Sequence, residues 1–310
     1  MLASGAASAY NRAMPPDARD SAAPVGAGRW TGPALVVLAA GGFAIQTTLA
    51  RLAYEHGANV ITLLAVRGVV AVVVLYVVFR LMGRSLALPR RLRLIATGVG
   101  LITAVQAIGV LGAVDFIPVS LTVLIFYTYP VLVTLAARFT EGARLTPLKI
   151  GASVAAFVGI ALAVNVSFET LDPRGIALAV AAALALGSTT LIGARVLRDG
   201  DSLAIVWQFI VTSTIIFCLL VPVLGGVALP TGTVGWAAFI GSAFGFVFGA
   251  VLFYSMLARI GAQRVAMFMN SEPVLTVVLA VIILGETLTP VQFLGGLLVV
   301  GAIVLVRRPG

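Results

Sequence analysis

The chain has 310 residues, 61% hydrophobic and 10% charged, with a mean hydropathy of +1.13 and a formal net charge of +9. Soluble domains average about 25% charged residues, so the composition excludes an ordinary soluble protein and indicates a polytopic membrane protein. A sequence pI of about 10.8 would suit a nucleic-acid binder, but the basic residues sit in short loops between apolar runs, where they set topology, and no nucleic-acid partner is expected.

Residues 1–30 contain Ala, Arg and Pro without the apolar core of a secretory signal, and read as a disordered cytoplasmic tail. Apolar runs of about 20 residues, long enough to span a bilayer, follow near 32–54, 60–82, 92–113, 117–138 and 147–167. Five more lie near 174–194, 201–223, 232–257, 264–284 and 289–307. Turn-forming segments such as "EHGAN", "GRSLALPRR", "ETLDPRG" and "GETLTP" separate them. Ten crossings place both termini on one side. With that side cytoplasmic, 17 of the 20 Lys and Arg residues fall in inner loops or tails, Arg51 and Arg174 fall outside, and Arg67 is left within the second span.

The chain repeats itself. "YPVLVTLAARFTEGARLTP" from Tyr129 aligns with "EPVLTVVLAVIILGETLTP" from Glu272 at a constant offset of 143 without a gap, matching Pro130 to Pro273 and Pro147 to Pro290. The halves, 31–168 and 169–310, each hold five spans. An odd number turns the second copy upside down relative to the first, a plan that recurs in secondary transporters with substrate sites at the midplane. The expected fold is an all-α integral membrane protein of ten transmembrane helices, two inverted five-helix repeats around a central cavity.

With the "PVL" in the fourth span of each half, the "LGETLTP" loop and Arg67 in the second span, the chain resembles the EamA-type transporters of the drug/metabolite transporter superfamily over residues 32–307. The first half departs from that pattern, with Glu141 two positions early and Ala143 opposite Glu286. The resemblance implies export or permeation of amino acids, other metabolites or drugs. Among bacterial members the chain is most similar to amino-acid exporters, aromatic amino acids included, and this implies a multi-pass protein of the bacterial inner (plasma) membrane.

Polar residues concentrate in particular spans. Gln46, Arg67, Gln106, Tyr127, Tyr129, Trp207, Gln208, Asn270 and Glu272 lie in spans one, two, three, four, seven and nine, and polar side chains in hydrocarbon have to face an interior. They are expected to line a cavity for a small-molecule substrate. Among the aromatics, Tyr127, Tyr129, Trp207 and Tyr254 suit stacking on that substrate, Trp207 foremost; at most one of Tyr127 and Tyr129, two apart on a helix, is expected to point inward. In the eighth span Phe244 and Phe248 either line the substrate path or simply pack, while Gly241, Gly245 and Gly249 form a stripe for close helix approach. Pro130 and Pro273 are expected hinges. Spans five and ten, nearly pure aliphatic and glycine, are left to pack on other helices, on membrane lipid or on a second copy in a homodimer.

A mid-helix carboxylate such as Glu272 costs about 2.5–3.5 kcal/mol by insertion scales. Arg67 and Glu272 either pair with each other or contact a substrate carrying both an ammonium and a carboxylate. An integral-membrane enzyme would need paired acids, metal ligands or an activated nucleophile. His56 and Cys218 are the only residues of their kinds, so neither a metal shell nor a disulfide is expected. No "GxxxxGK[ST]" segment is present, which argues against ATP hydrolysis by this polypeptide, and no cofactor is expected. A purely structural scaffold has no use for polar residues at mid-membrane. The expected function is secondary export of amino acids by alternating access, with drugs or other metabolites as the alternative cargo. Proton coupling through Glu272 and facilitated diffusion both remain open at this level.

Overall fold

A computed structural model describes residues 31–83, 85–140, 146–164, 171–285 and 289–306; it is helical throughout, with no strand among the described residues. Pro33–Gly310 form one compact unit. The N-terminal tail and the loop residues Glu141, Ala143 and Glu286 lie outside the described residues. In chain order the helices are α1 Thr31–Glu55, α2 Val60–Leu81, α3 Arg90–Ala113, α4 Val119–Phe126, α5 Tyr129–Thr140 and α6 Pro147–Ala163. They continue as α7 Pro173–Val196, α8 Ser202–Leu220, α9 Gly232–Ile260, α10 Ala262–Met269, α11 Ser271–Leu284 and α12 Pro290–Val306. Seven stretches are long and apolar enough to cross a membrane: α1, α2, α3, α7, α8, α9 and the joined Ala262–Leu284. Three shorter apolar stretches accompany them, Leu121–Ala136, Ile150–Ala163 and Pro290–Leu305.

Local chemistry sets the ends. Asn59 caps α2 by accepting from Thr62 N at 2.9 Å, and its amide donates to Gly226 O at 3.0 Å, tying two loops on one face. Asp201 caps α8 through Leu203 N, and Asp172 caps α7 through Arg174 N. Hydrogen bonds from the Arg174 side chain hold the exposed Asp172 carboxyl below its ordinary range. That contribution is present above the usual carboxylate range and is lost as pH falls through the depressed value. The Arg174 guanidinium also lies 4.4 Å from the Phe116 ring centroid, pinning the α3–α4 turn to α7.

Where the fourth and ninth apolar runs suggest single helices, the structure has two helices each, broken at matched places. Phe126 ends α4 and Met269 ends α10, 143 residues apart. Pro130 and Pro273 lack the amide that would bond the carbonyl four residues earlier, namely those same Phe126 and Met269. A hydroxyl bonds back at each break: Thr128 Oγ1 to Ile125 O at 2.7 Å, and Ser271 Oγ to Phe268 O at 2.8 Å. These donors again differ by 143 positions.

Glycine permits the close packing. A Cβ at Gly42 of α1 would lie 2.8 Å from the Gly249 N of α9, and one at Gly245 would lie 3.0 Å from Gln46 N. Ser242 Oγ donates to Gln46 O at 2.8 Å across the same seam. Gly100 of α3 meets Phe209 O of α8, Gly109 meets Leu178 O of α7, and Gly159 of α6 meets Gly295 O of α12. Small residues substitute here for the hydrophobic drive that lipid does not supply. Gly42→Ala should therefore destabilise the protein by about 1–3 kcal/mol, read as a lowered melting temperature in detergent. Gly41→Ala, where nothing lies within 4 Å of the added carbon, should leave that temperature unchanged or higher.

Candidate functional site

Both helix breaks lie at the floor of one cavity of about 350 Å³, within the range of small-molecule sites. Phe126, Tyr129, Met269 and Glu272 form that floor, and α1, α2, α3, α8 and α9 supply most of the wall. The lining reaches Tyr54, Val60, Leu111 and Phe217, near the C-terminal ends of α1, α3 and α8 and the start of α2. Towards the opposite face Val196, Ile205, Leu257, Ala262 and Val265 are all buried in one apolar cluster. The lining thus extends from mid-protein towards the face that carries the ends of α1, α3 and α8.

Two charged residues line it. Arg67 lies seven residues into α2, about 10 Å from that helix's start. Its guanidinium carbon is 4.6 Å from the centroid of the Phe246 ring, a cation–π distance, and Tyr54 is near enough to interact with it electrostatically. Glu272 sits in the first turn of α11, where the helix N-terminus favours a negative charge, and Tyr127 and Tyr129 are near enough to interact with it electrostatically. Among the described residues no ion pair joins Arg67 to Glu272. Nine lining residues are aromatic, and Gln46, Thr47, Thr103, Gln106 and Ser213 add hydrogen-bonding groups. Such a chamber can hold a small molecule that carries charges of both signs and an apolar part.

A family model described as the EamA-like transporter family matches the chain twice, over residues 30–165 and 173–308. The chain belongs to the EamA-like transporter family. It is thus a multi-pass membrane transporter of the drug/metabolite superfamily. The chain is 29% identical over 224 residues to an uncharacterized transporter of Synechocystis sp., a match covering 68% of this chain and 66% of that protein. A solved crystal structure shares the fold, with a TM-score of 0.74 and 18% identity over 88% of this chain and 96% of that one.

Within this EamA-family fold, the sequence-derived candidates divide. Gln46, Arg67, Gln106, Tyr129 and Glu272 line the cavity together. Tyr127 does not; it is buried against the rings of Phe126 and Tyr129. Trp207 is turned away, its indole N–H donating to Val72 O at 3.1 Å between α8 and α2. Gln208 bonds Thr97 and Thr212 at the α3–α8 contact. Asn270 is buried against α6 and α12, beside Ala152 and Ser153. Phe244 and Phe248 are 54% and 51% exposed on the outer side of α9, while Phe246 between them faces the cavity. Pro130 and Pro273 are buried just past the breaks. The lining residues that sequence reasoning missed are mostly apolar, with phenylalanines such as Phe43, Phe209 and Phe253 prominent among them. No polar atom marks the phenylalanines; the hydroxyls of Thr47, Tyr54, Thr103 and Ser213, polar atoms within apolar runs, carried a usable signal. Trp207→Phe should therefore lower stability by about 1 kcal/mol and leave flux per folded molecule unchanged, measured by thermal denaturation and proteoliposome transport on one preparation.

Proposed function

We propose that this transporter exports amino acids, aromatic ones among them, across the bacterial inner membrane by alternating access. One observation carries the reading: a guanidinium and a carboxylate that do not pair with each other line the same aromatic-walled cavity. An amino acid brings a carboxylate to Arg67 and an ammonium to Glu272, and the phenylalanine and tyrosine rings receive its side chain.

The membrane arrangement we favour is ten crossings in two inverted five-helix repeats, 31–168 and 169–310. The breaks and their hydroxyl bonds recurring at one interval support it, as do the three short apolar stretches beside the seven long ones. Under the arginine distribution both termini are cytoplasmic, which makes the face towards which the cavity lining extends periplasmic. Pro130 and Pro273 then act as hinges at the floor, where a bend exposes the site to the other side. The outer faces of α6 and α12, with Val154, Val158, Leu294 and Leu297 exposed, meet lipid or a second copy of the chain.

Purified protein in liposomes should move labelled aromatic amino acids faster than empty vesicles. Flux without a pH gradient identifies a facilitative carrier, and flux only with a gradient identifies proton coupling. No flux for any amino acid would sink the substrate assignment and shift it to drugs or other metabolites. Glu272→Gln should lower flux by about tenfold or more, the scale of a lost hydrogen bond to a charged group, with folding intact by size-exclusion chromatography. Normal flux in that variant would remove Glu272 from the mechanism.

A further inference from the structure

We infer that Phe246 is a positioning residue: its ring holds the Arg67 guanidinium in the cavity wall with the N–H groups left for the substrate's carboxylate, a role that rests on the amino-acid reading above. The guanidinium carbon lies 4.6 Å from the centroid of that ring, and both residues line the cavity. Among the described residues Arg67 makes no hydrogen bond and no ion pair. Its nitrogens are not sealed from solvent either, so the donors open on the cavity that the residue lines. A partner that fixes this side chain must therefore attract the charge and occupy no donor. An aromatic face does that through its quadrupole, whereas a carboxylate or carbonyl would take up the N–H groups.

Of the two side chains, the ring is the fixed one. Phe246 directly follows Gly245, where a Cβ would lie 3.0 Å from both Gln46 N and Gly42 O of α1. The α9 backbone is thus clamped at that point. The Phe43 ring of α1 packs on Phe246 at 6.3 Å, and Phe43 in turn meets Phe253 at 6.2 Å. Arg67 reaches the ring from α2 through a long side chain with several staggered rotamers. Without the ring an incoming carboxylate has to order that chain itself, which weakens binding. Phe244 and Phe248 cannot take over, because they are 54% and 51% exposed on the outer side of α9.

Fluorinated phenylalanines at position 246 keep the ring's shape and weaken its attraction for a cation. In proteoliposomes of the full-length protein, the apparent KM for a transported amino acid should rise with each added fluorine. The rise should reach about fivefold, with the maximal rate little changed. Phe246→Tyr, which retains the aromatic face, should stay close to the parent. A flat KM across the fluorinated series, in a protein that transports amino acids, overturns the proposal, because a ring that only packs is indifferent to its charge distribution. Nitrogen-15 NMR supplies a readout that needs no transport: the guanidinium resonance lost in Arg67→Lys should shift as fluorine is added. An unmoved resonance overturns the proposal whatever the KM does, since the ring then acts on the cargo directly or not at all. A shifting resonance in a protein that moves no amino acid overturns the substrate assignment alone and upholds the contact.

Discussion

A polar group in hydrocarbon finds no water, and the whole arrangement of this protein depends on that constraint. Two helices are interrupted at mid-length, and each interruption leaves a carbonyl, Phe126 or Met269, without its helical donor. Both residues border the same cavity. The hydroxyls of Thr128 and Ser271 turn back onto carbonyls one turn earlier at the breaks. Two charged residues, Arg67 and Glu272, border that cavity as well. The groups most costly in lipid are thus gathered in one place, and the place is the candidate binding site.

Close backbone packing makes the gathering possible. Glycines at the α1–α9, α3–α8, α3–α7 and α6–α12 contacts bring helices within reach of one another's backbone atoms. The seams use little side-chain volume, so rings such as those of Phe43, Phe246 and Phe253 are left to line the chamber. Those three rings also contact one another around Phe43, at 6.3 Å to Phe246 and 6.2 Å to Phe253. Beneath the floor, residues at the ends of α7 and α9 and the starts of α8 and α10 are buried in one apolar cluster.

Within the chamber, Arg67 is cushioned by an aromatic face and Glu272 is supported by a helix terminus. Neither arrangement neutralises the charge in the way a buried ion pair would. The pair is instead left to be completed from outside, and a ligand with both charges offsets the cost of keeping them apart. The same asymmetry separates the two halves: one contributes the cation, the other the acid.

The sequence by itself determined the solvent, the helical class, the position of the breaks and several residues of the cavity. Hydropathy reports burial in lipid directly, and proline, arginine and glutamate are rare enough in such runs to mark where backbone and charge must turn inward. The facing of the remaining residues was a tertiary decision. In a membrane helix the lipid side and the protein side are both apolar, so Phe244, Phe246 and Phe248 read alike although only Phe246 meets the cavity. Trp207 and Gln208 are polar and internal, yet they spend their hydrogen bonds on neighbouring helices. Polarity says that a group needs a partner; only the packing of α2, α3 and α8 decided that for these two the partner is protein.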